Sequence, residues 1–131
     1  MADKTILIVD DDDMILMMLE KILSKEFKTI TAISGEEAIE EYEQYHPDIV
    51  LSDYMMPKMN GFEMMDKMHE RFGRNIFAIF MTANEQEETE LEVYKHGALE
   101  FIRKPIKSET LLQTIRACMD RLDAMKQNGM Q

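Results

Sequence analysis

The sequence predicts an α/β domain, a doubly wound, five-stranded parallel sheet with helices on both faces. Three observations support this prediction. Short apolar runs recur five times, a stretch of helical period follows each run, and glycine or proline ends several of these stretches. Strands that alternate with helices form parallel sheets, because each helix carries the chain back to the edge from which the next strand starts.

The first predicted strand spans residues 5–9 (TILIV). It is a continuous apolar run rich in β-branched residues, which is typical of a strand buried on both faces. Four later segments have a similar composition and bounds set by turn residues. These strands are predicted over 28–33, 48–53, 76–81 and 99–103.

Helices are predicted between the strands from apolar residues spaced three or four apart. In the first helix this stripe consists of Ile15, Leu19, Ile22 and Leu23. The second helix, over 34–45, begins with Ser34 and has Glu37 three residues later, the pattern of a capping box. The stripe of the third helix, which ends near Gly73, consists of Phe62, Met65, Met68 and Phe72.

Two further helices complete the pattern. The fourth, over 85–96, is rich in glutamate and has little apolar stripe beyond Leu91 and Tyr94, so we expect it to be the least firmly held. The last helix starts near Ser108 and keeps helical character to about Met125. We therefore predict one domain over residues 1–125, followed by a tail or linker stub over 126–131.

The fourteen methionines suggest core filling more than metal binding. Two groups at helical spacing are assigned to the core, Met14, Met17 and Met18 in the first helix and Met64, Met65 and Met68 in the third. For three more methionines, in the loop over 54–61, the alternative to core filling is an exposed patch that contacts a partner. They are Met55, Met56 and Met59.

Composition excludes several classes of function. The formal net charge of −11 opposes contact with nucleic-acid phosphates and with anionic membranes, since both require lysine and arginine. The single cysteine, Cys118, forms no internal disulfide and fits a reducing compartment. The apolar run at the N-terminus ends after Val9, which is too short for a signal peptide, and no segment is long enough to span a membrane. We therefore expect a cytoplasmic protein.

Five polar residues follow the predicted strands at one edge of the sheet. They are Asp10, Asp11, Asp53, Thr82 and Lys104. In doubly wound sheets, functional residues collect at the carboxyl ends of the strands. Three carboxylates in one crevice repel each other unless a hard cation such as Mg²⁺ lies among them.

The same residue types suit phosphoryl chemistry. A carboxylate beside a divalent cation is able to act as a nucleophile toward phosphorus. Lys104 would neutralise phosphoryl oxygens and Thr82 would donate a hydrogen bond to one of them, and both are expected in an exposed cleft. Asp12 and Asp13 are assigned to the start of the first helix, where Asp13 is expected to cap.

Four motifs in order resemble the receiver domain of two-component response regulators, over residues 4–123. They are ILIVDDD, DIVLSDYMMPKMNG, IFMTA and EFIRKPI. The resemblance implies a flavodoxin-like fold with strand order 2-1-3-4-5. It also implies that Asp53 accepts a phosphoryl group from a phosphohistidine on a sensor histidine kinase or a histidine phosphotransfer protein.

The resemblance assigns roles to the other residues. Asp11 would bind Mg²⁺ directly, Asp10 mainly through water, and Met55 through its backbone carbonyl. Thr82 would move toward the phosphoryl group and Phe101 would rotate inward behind it. That motion would reshape the surface formed by the fourth predicted helix, the fifth strand and the last helix.

Three alternatives stay open. A phosphatase of the haloacid-dehalogenase type uses an aspartyl nucleophile after its first strand, but its motif matches only as far as Asp13 and leaves Asp53 unexplained. The second alternative is a phosphorelay intermediate that carries the phosphoryl group without switching. The third is a receiver that has lost phosphorylation, which the complete set of chemical groups opposes. The downstream protein target is not identified by the sequence.

Overall fold

The structure is a computed structural model that describes residues 3–83 and 96–128. Five strands and four helices lie in these residues. The strands are β1 (Thr5–Val9), β2 (Lys28–Ala32), β3 (Ile49–Asp53), β4 (Ala78–Thr82) and β5 (Ala98–Arg103). The helices are α1 (Asp13–Leu23), α2 (Gly35–Tyr45), α3 (Gly61–Phe72) and α4 (Ser108–Gln127).

The strands form one parallel sheet in the order β2-β1-β3-β4-β5, as predicted. β1 and β3 lie side by side in the middle, with Val9 paired to Ser52 at their carboxyl ends. The strand order reverses between β1 and β3, which opens a crevice at that edge of the sheet. This topology brings Asp10 and Asp53 to the same crevice.

Alternation along the strands divides the core into two layers, as the period of two in a strand requires. One layer contains Ile6 and Ile8 of β1 and packs against α1 and α4. The other contains Leu7 and Val9 and packs against α2 and α3. All four of these β1 side chains have no exposed surface, so the prediction of a strand buried on both faces is confirmed.

Capping explains where the helices begin. Asp12, and not Asp13, caps α1, because the Asp12 side chain accepts hydrogen bonds from the backbone amides of Met14 and Ile15. Asp13 is instead the first residue of the helix. At α3, Asn60 and Glu63 form a full capping box, which was not predicted from the sequence.

Several element bounds differ from the predicted ones by one to a few residues. The largest shift at a strand start is in β4, which begins at Ala78 instead of residue 76. The Ile76 carbonyl oxygen lies 2.9 Å from His69 Nε2. α4 extends to Gln127, two residues past the predicted end at Met125. The predicted helix over 85–96 lies outside the described residues except for its last position, His96.

The methionine assignments are right for α3 and wrong for α1. Met64, Met65 and Met68 are fully buried, whereas Met14, Met17 and Met18 are 76%, 67% and 42% exposed. In α1 the buried positions are leucines, including Leu16, and the methionines lie at other positions around the helix. The alternative of an exposed Met55-Met56-Met59 patch is also wrong, since Met56 and Met59 are buried and Met55 alone is exposed.

None of the described helices combines the length and the apolar composition needed to cross a membrane.

Candidate functional site

Three carboxylates meet at the carboxyl edge of the sheet. One oxygen from each of Asp10, Asp11 and Asp53 lies within 4.8 Å of the others. Asp10 directly follows β1 and Asp53 ends β3, so the pairing of these two strands brings the side chains together. Asp10 and Asp53 are buried and Asp11 is exposed, so the cluster opens to solvent on the Asp11 side.

Asp10 is the most deeply buried member of the cluster, with no exposed surface. Its Oδ1 accepts a hydrogen bond of 2.9 Å from the Asp12 backbone amide. Its Oδ2 has no hydrogen-bond partner among the described residues. Burial raises the pKa of Asp10 above its usual range, the Asp12 amide lowers it, and the negative charge of Asp53 raises it again.

Asp53 is 7% exposed and contacts the one lysine of the site. Lys104 Nζ lies 3.2 Å from Asp53 Oδ2 and 3.8 Å from Asp10 Oδ2. Burial raises the pKa of Asp53, and the opposing effects of Lys104 and of a hydrogen bond from the Met55 backbone do not fully offset it. Removal from water therefore disfavours the ionised form of both buried carboxyls. A nearby cation would offset this penalty.

Thr82 is the last residue of β4, and Lys104 directly follows the neighbouring strand β5 at the same edge of the sheet. The Lys104 backbone amide donates a hydrogen bond of 2.9 Å to the Thr82 carbonyl oxygen, which fixes the two residues relative to each other. The lysine side chain is 23% exposed, but Thr82 is only 2% exposed. The expectation that Thr82 lies in an exposed cleft is therefore wrong. Thr82 lies at the end of β4, below the surface of the crevice.

The loop after Asp53 is held closely against the sheet. The Tyr54 amide donates to the Met81 carbonyl, and the Gly61 amide donates to the Tyr54 carbonyl at 2.8 Å. A Cβ at Gly61 would lie 2.7 Å from Phe80 Cε1 and 3.1 Å from the Asp53 carbonyl oxygen. A side chain at residue 61 would therefore force Phe80 or the neighbouring backbone to shift. The Met55 side chain, by contrast, is 66% exposed and extends away from the core.

Phe101 lies on β5 opposite Phe80 of β4 and is half-buried against the layer formed with α2 and α3. The guanidinium carbon of Arg103 lies 5.6 Å from the centre of the Phe101 ring. Phe101 is thus only partly buried on β5, and one strand, β4, lies between it and Asp53.

Sequence reasoning missed one feature beside the site. The ring of Phe62 contacts Tyr54 and Phe80 and is stacked on the ring of His96. The sequence contains no local signal for this arrangement, because His96 is separated from Phe62 by more than thirty residues and was assigned to a helix end.

The donor set fits Mg²⁺. Hard divalent cations take oxygen ligands, and the cluster offers three carboxylates in a crevice that is open on one side. A buried carboxylate oxygen such as Asp10 Oδ2, without a hydrogen-bond partner in the described part of the chain, is an atom that a cation or its bound water would satisfy.

Comparisons with known proteins identify the family to which the chain is similar. A family model for the response regulator receiver domain matches residues 6–116. The chain is 34% identical over 113 residues to the chemotaxis protein CheY of Halobacterium salinarum, covering 86% of this chain and 93% of that protein. It is 36% identical over 118 residues to the heme response regulator HssR of Staphylococcus saprophyticus, covering 89% of this chain.

Among solved structures, the chain superposes with a TM-score of 0.82 on a chain of the CheX-CheY-BeF3-Mg²⁺ complex from Borrelia burgdorferi. The sequence identity is 33%, with 88% of this chain and 89% of that chain covered. The chain spans about half the length (52%) of the HssR relative, so that relative contains a further part with no counterpart in the residues aligned here.

Proposed function

Because the chain belongs to the response regulator receiver domain family, whose members are signalling domains and not enzymes in the usual sense, we propose that it is a switch controlled by phosphorylation of Asp53. The observation that carries the proposal is the position of Asp53 between a lysine and two other carboxylates. Lys104 Nζ lies 3.2 Å from Asp53 Oδ2, and oxygens of Asp10 and Asp11 lie within 4.8 Å of an Asp53 oxygen.

The proposed reaction is transfer of a phosphoryl group from a phosphohistidine. An Asp53 carboxylate oxygen forms the new P–O bond while the P–N bond of the donor breaks, and the electron pair of that bond returns to the imidazole. Lys104 is close enough to Asp53 to neutralise oxygens of the incoming group. The donor would be a sensor histidine kinase or a histidine phosphotransfer protein.

Mg²⁺ would be held by Asp10, Asp11, Asp53 and the backbone carbonyl of Met55. When bound, it would supply positive charge that offsets the charge of the phosphoryl oxygens. Asp12 takes no part in this proposal, because its side chain is committed to capping α1. We therefore expect metal affinity to depend on Asp11 and Asp53 far more than on Asp12 or Asp13.

The proposed response to phosphorylation is a shift between two packings. Thr82 would engage the phosphoryl group and Phe101 would turn inward, so that the surface around β5 and α4 changes. Output would then be a contact with another protein. The net charge of −11 disfavours output through nucleic acid.

The experiment that tests this proposal is a two-dimensional NMR comparison with and without beryllofluoride, a phosphoryl mimic, in the presence of Mg²⁺. We expect amide signals to move around Asp53 and also at Thr82, Ala98 and Phe101. Asp53→Asn provides the control, since it should show none of these shifts.

A different outcome would contradict the switch. Shifts that stayed within a few residues of Asp53, with β5 silent, would indicate a phosphoryl carrier that does not change conformation. A wild-type protein whose spectrum did not respond at all would contradict the site itself.

A further inference from the structure

Three aromatic rings contact one another in a row from the loop after Asp53 to the start of β5, the first pair tilted by 45° and the second pair stacked. Tyr54, which directly follows Asp53, has its ring centre 4.5 Å from that of Phe62. The Phe62 ring lies parallel to the His96 ring, with centres 4.4 Å apart and planes 9° apart. His96 stands two residues before Ala98, the first residue of β5.

α3 holds the same segment by two additional contacts. Asp66 Oδ1 lies 2.7 Å from His96 Nδ1. One turn further along α3, the His69 ring lies against Gly97, where a Cβ would be 2.7 Å from His69 Cε1. Gly97 has a φ of +86°, which favours glycine independently of the close approach. His96 and Gly97, which are consecutive in the chain, therefore both pack against one face of α3.

The start of α3 is in turn connected by hydrogen bonds to the loop that follows Asp53. The Gly61 amide donates to the Tyr54 carbonyl, and the Tyr54 amide donates to Met81 in β4. Any displacement of the backbone beside Asp53 therefore acts on Tyr54 and on the first turn of α3 together. Close-packed rings transmit such a displacement because little free space separates them.

We propose that the phosphorylation state of Asp53 is coupled to the position of residues 96–98. The coupling runs through a bracket of three residues, Phe62, Asp66 and His96. His96 is a positioning residue in this bracket. The proposal rests on the proposed function, since it requires that Asp53 carries a phosphoryl group in one state. It adds a route through α3 to the route through Thr82 and Phe101.

The chemistry of His96 supports a coupling role over simple packing. Phe62 is already in contact with Phe80 and Tyr54, so it has other apolar neighbours. A ring that served only to cover Phe62 would need no carboxylate at hydrogen-bond distance. The Asp66 contact fixes the orientation of the imidazole, so that the ring keeps its flat face on Phe62.

The test uses three variants of the full chain and the beryllofluoride–Mg²⁺ titration followed by NMR. His96→Ala removes both the stack and the contact with Asp66, whereas His96→Phe keeps a flat ring on Phe62. Tyr45→Ala is the matched control, because Tyr45 is an exposed aromatic residue on α2, outside the bracket. Thermal melts of each variant would verify that the fold is retained.

In His96→Ala we expect the beryllofluoride-induced shifts of Gly97 and Ala98 to fall at least roughly two-fold, the factor that corresponds to the loss of a weak aromatic pair. The shifts of the Asp53 and Thr82 amides should stay as in the wild type. His96→Phe keeps the ring but loses the contact with Asp66, so its response at Gly97 and Ala98 should lie between those of His96→Ala and the wild type, and Tyr45→Ala should retain all of the response.

Two results would overturn the bracket while leaving the proposed function intact. They are a response at Gly97 and Ala98 that is equal in His96→Ala and the wild type, and an equal loss in His96→Ala and His96→Phe, which would exclude the ring stack as the coupling element. A wild-type protein in which the Asp53 amide itself failed to respond would overturn both proposals.

Discussion

Asp10→Asn removes the most deeply buried charge of the site. The substitution should stabilise the protein without metal and reduce the gain in stability that Mg²⁺ gives. Asp10 has no exposed surface, and its Oδ2 has no hydrogen-bond partner within the described residues. Asparagine has nearly the same shape, and its side-chain oxygen is able to accept the hydrogen bond from the Asp12 amide. Without Mg²⁺ the variant should therefore be more stable than the wild type.

The sign follows from the pKa. Burial raises the pKa of Asp10 in the folded chain, and the charge of Asp53 adds to the rise. A carboxyl with a raised pKa destabilises the fold as pH increases, because the unfolded chain loses its proton first. The penalty is absent below the ordinary pKa of an aspartate, about 3.9, and fully present above the raised value. The asparagine side chain has no such penalty at any pH.

The magnitude follows from the contacts. A buried polar atom without a partner costs about 1–3 kcal/mol. Asparagine removes the charge, but it puts an equally buried amide nitrogen at this position and loses the attraction of Lys104 Nζ, which lies 3.8 Å from Oδ2, so we expect a net gain of only about 1 kcal/mol on substitution. For a domain of this size each kcal/mol corresponds to about 3–6 °C in Tm.

Thermal unfolding in EDTA and in saturating Mg²⁺ would measure both effects. A ligand that binds only the folded state at 100 times its Kd stabilises it by about 2.7 kcal/mol, and Asp10→Asn should gain clearly less from Mg²⁺ than the wild type does. Asp13→Asn is the matched control, because it removes the same charge from an exposed position in the first turn of α1. It should leave the Mg²⁺ response unchanged.

The reasoning would be refuted if Asp10→Asn were less stable than the wild type in EDTA and gained as much from Mg²⁺ as the wild type. In that case the carboxylate of Asp10 would be stabilising in the metal-free fold and would have no part in the metal site.

Three further predictions concern the surroundings of the site. Asp12→Ala should lower the free energy of unfolding by about 1 kcal/mol in urea melts, because the side chain caps α1, and it should leave the Mg²⁺-induced gain in stability intact. Gly61→Ala should cost about 1–3 kcal/mol in the same assay, because its Cβ would lie 2.7 Å from Phe80 Cε1; a cost near zero would contradict the close approach. Limited treatment with hydrogen peroxide should oxidise the exposed methionines before the buried ones, and peptide mass spectrometry would detect any reversal of that order. Within residues 3–83 and 96–128, the exposed methionines are Met14, Met17, Met18 and Met55.

The site residues lie at the ends of strands. In this fold the end of a strand is the feature that the local sequence encodes. Asp10 follows a continuous apolar run and Asp53 ends another, so topology alone brings both to one crevice. The parallel sheet is confirmed for the same reason, whereas its strand order, also confirmed, was implied by the resemblance to receiver domains. The identity of the α1 cap differs from the prediction because Asp12 and Asp13 are chemically equivalent, and only backbone geometry selects Asp12.

Exposure and long-range contacts were harder to predict. Met14, Met17 and Met18 have the same helical spacing as Met64, Met65 and Met68, yet only the second group faces the sheet. Whether a group of methionines is buried depends on whether leucines occupy the helix face that packs against the sheet. The burial of Thr82 and the stack of His96 on Phe62 depend on how neighbouring elements pack, which is not encoded within any one segment.

The most direct test of the central claim is the location of the phosphoryl group after incubation with acetyl phosphate. The acyl phosphate would be trapped chemically and the modified peptide identified by mass spectrometry. We predict modification of Asp53 in the presence of Mg²⁺, strongly reduced modification in EDTA, and none in Asp53→Asn. Modification of Asp53→Asn at the wild-type level would contradict the account, because the phosphoryl group would then reside on another residue.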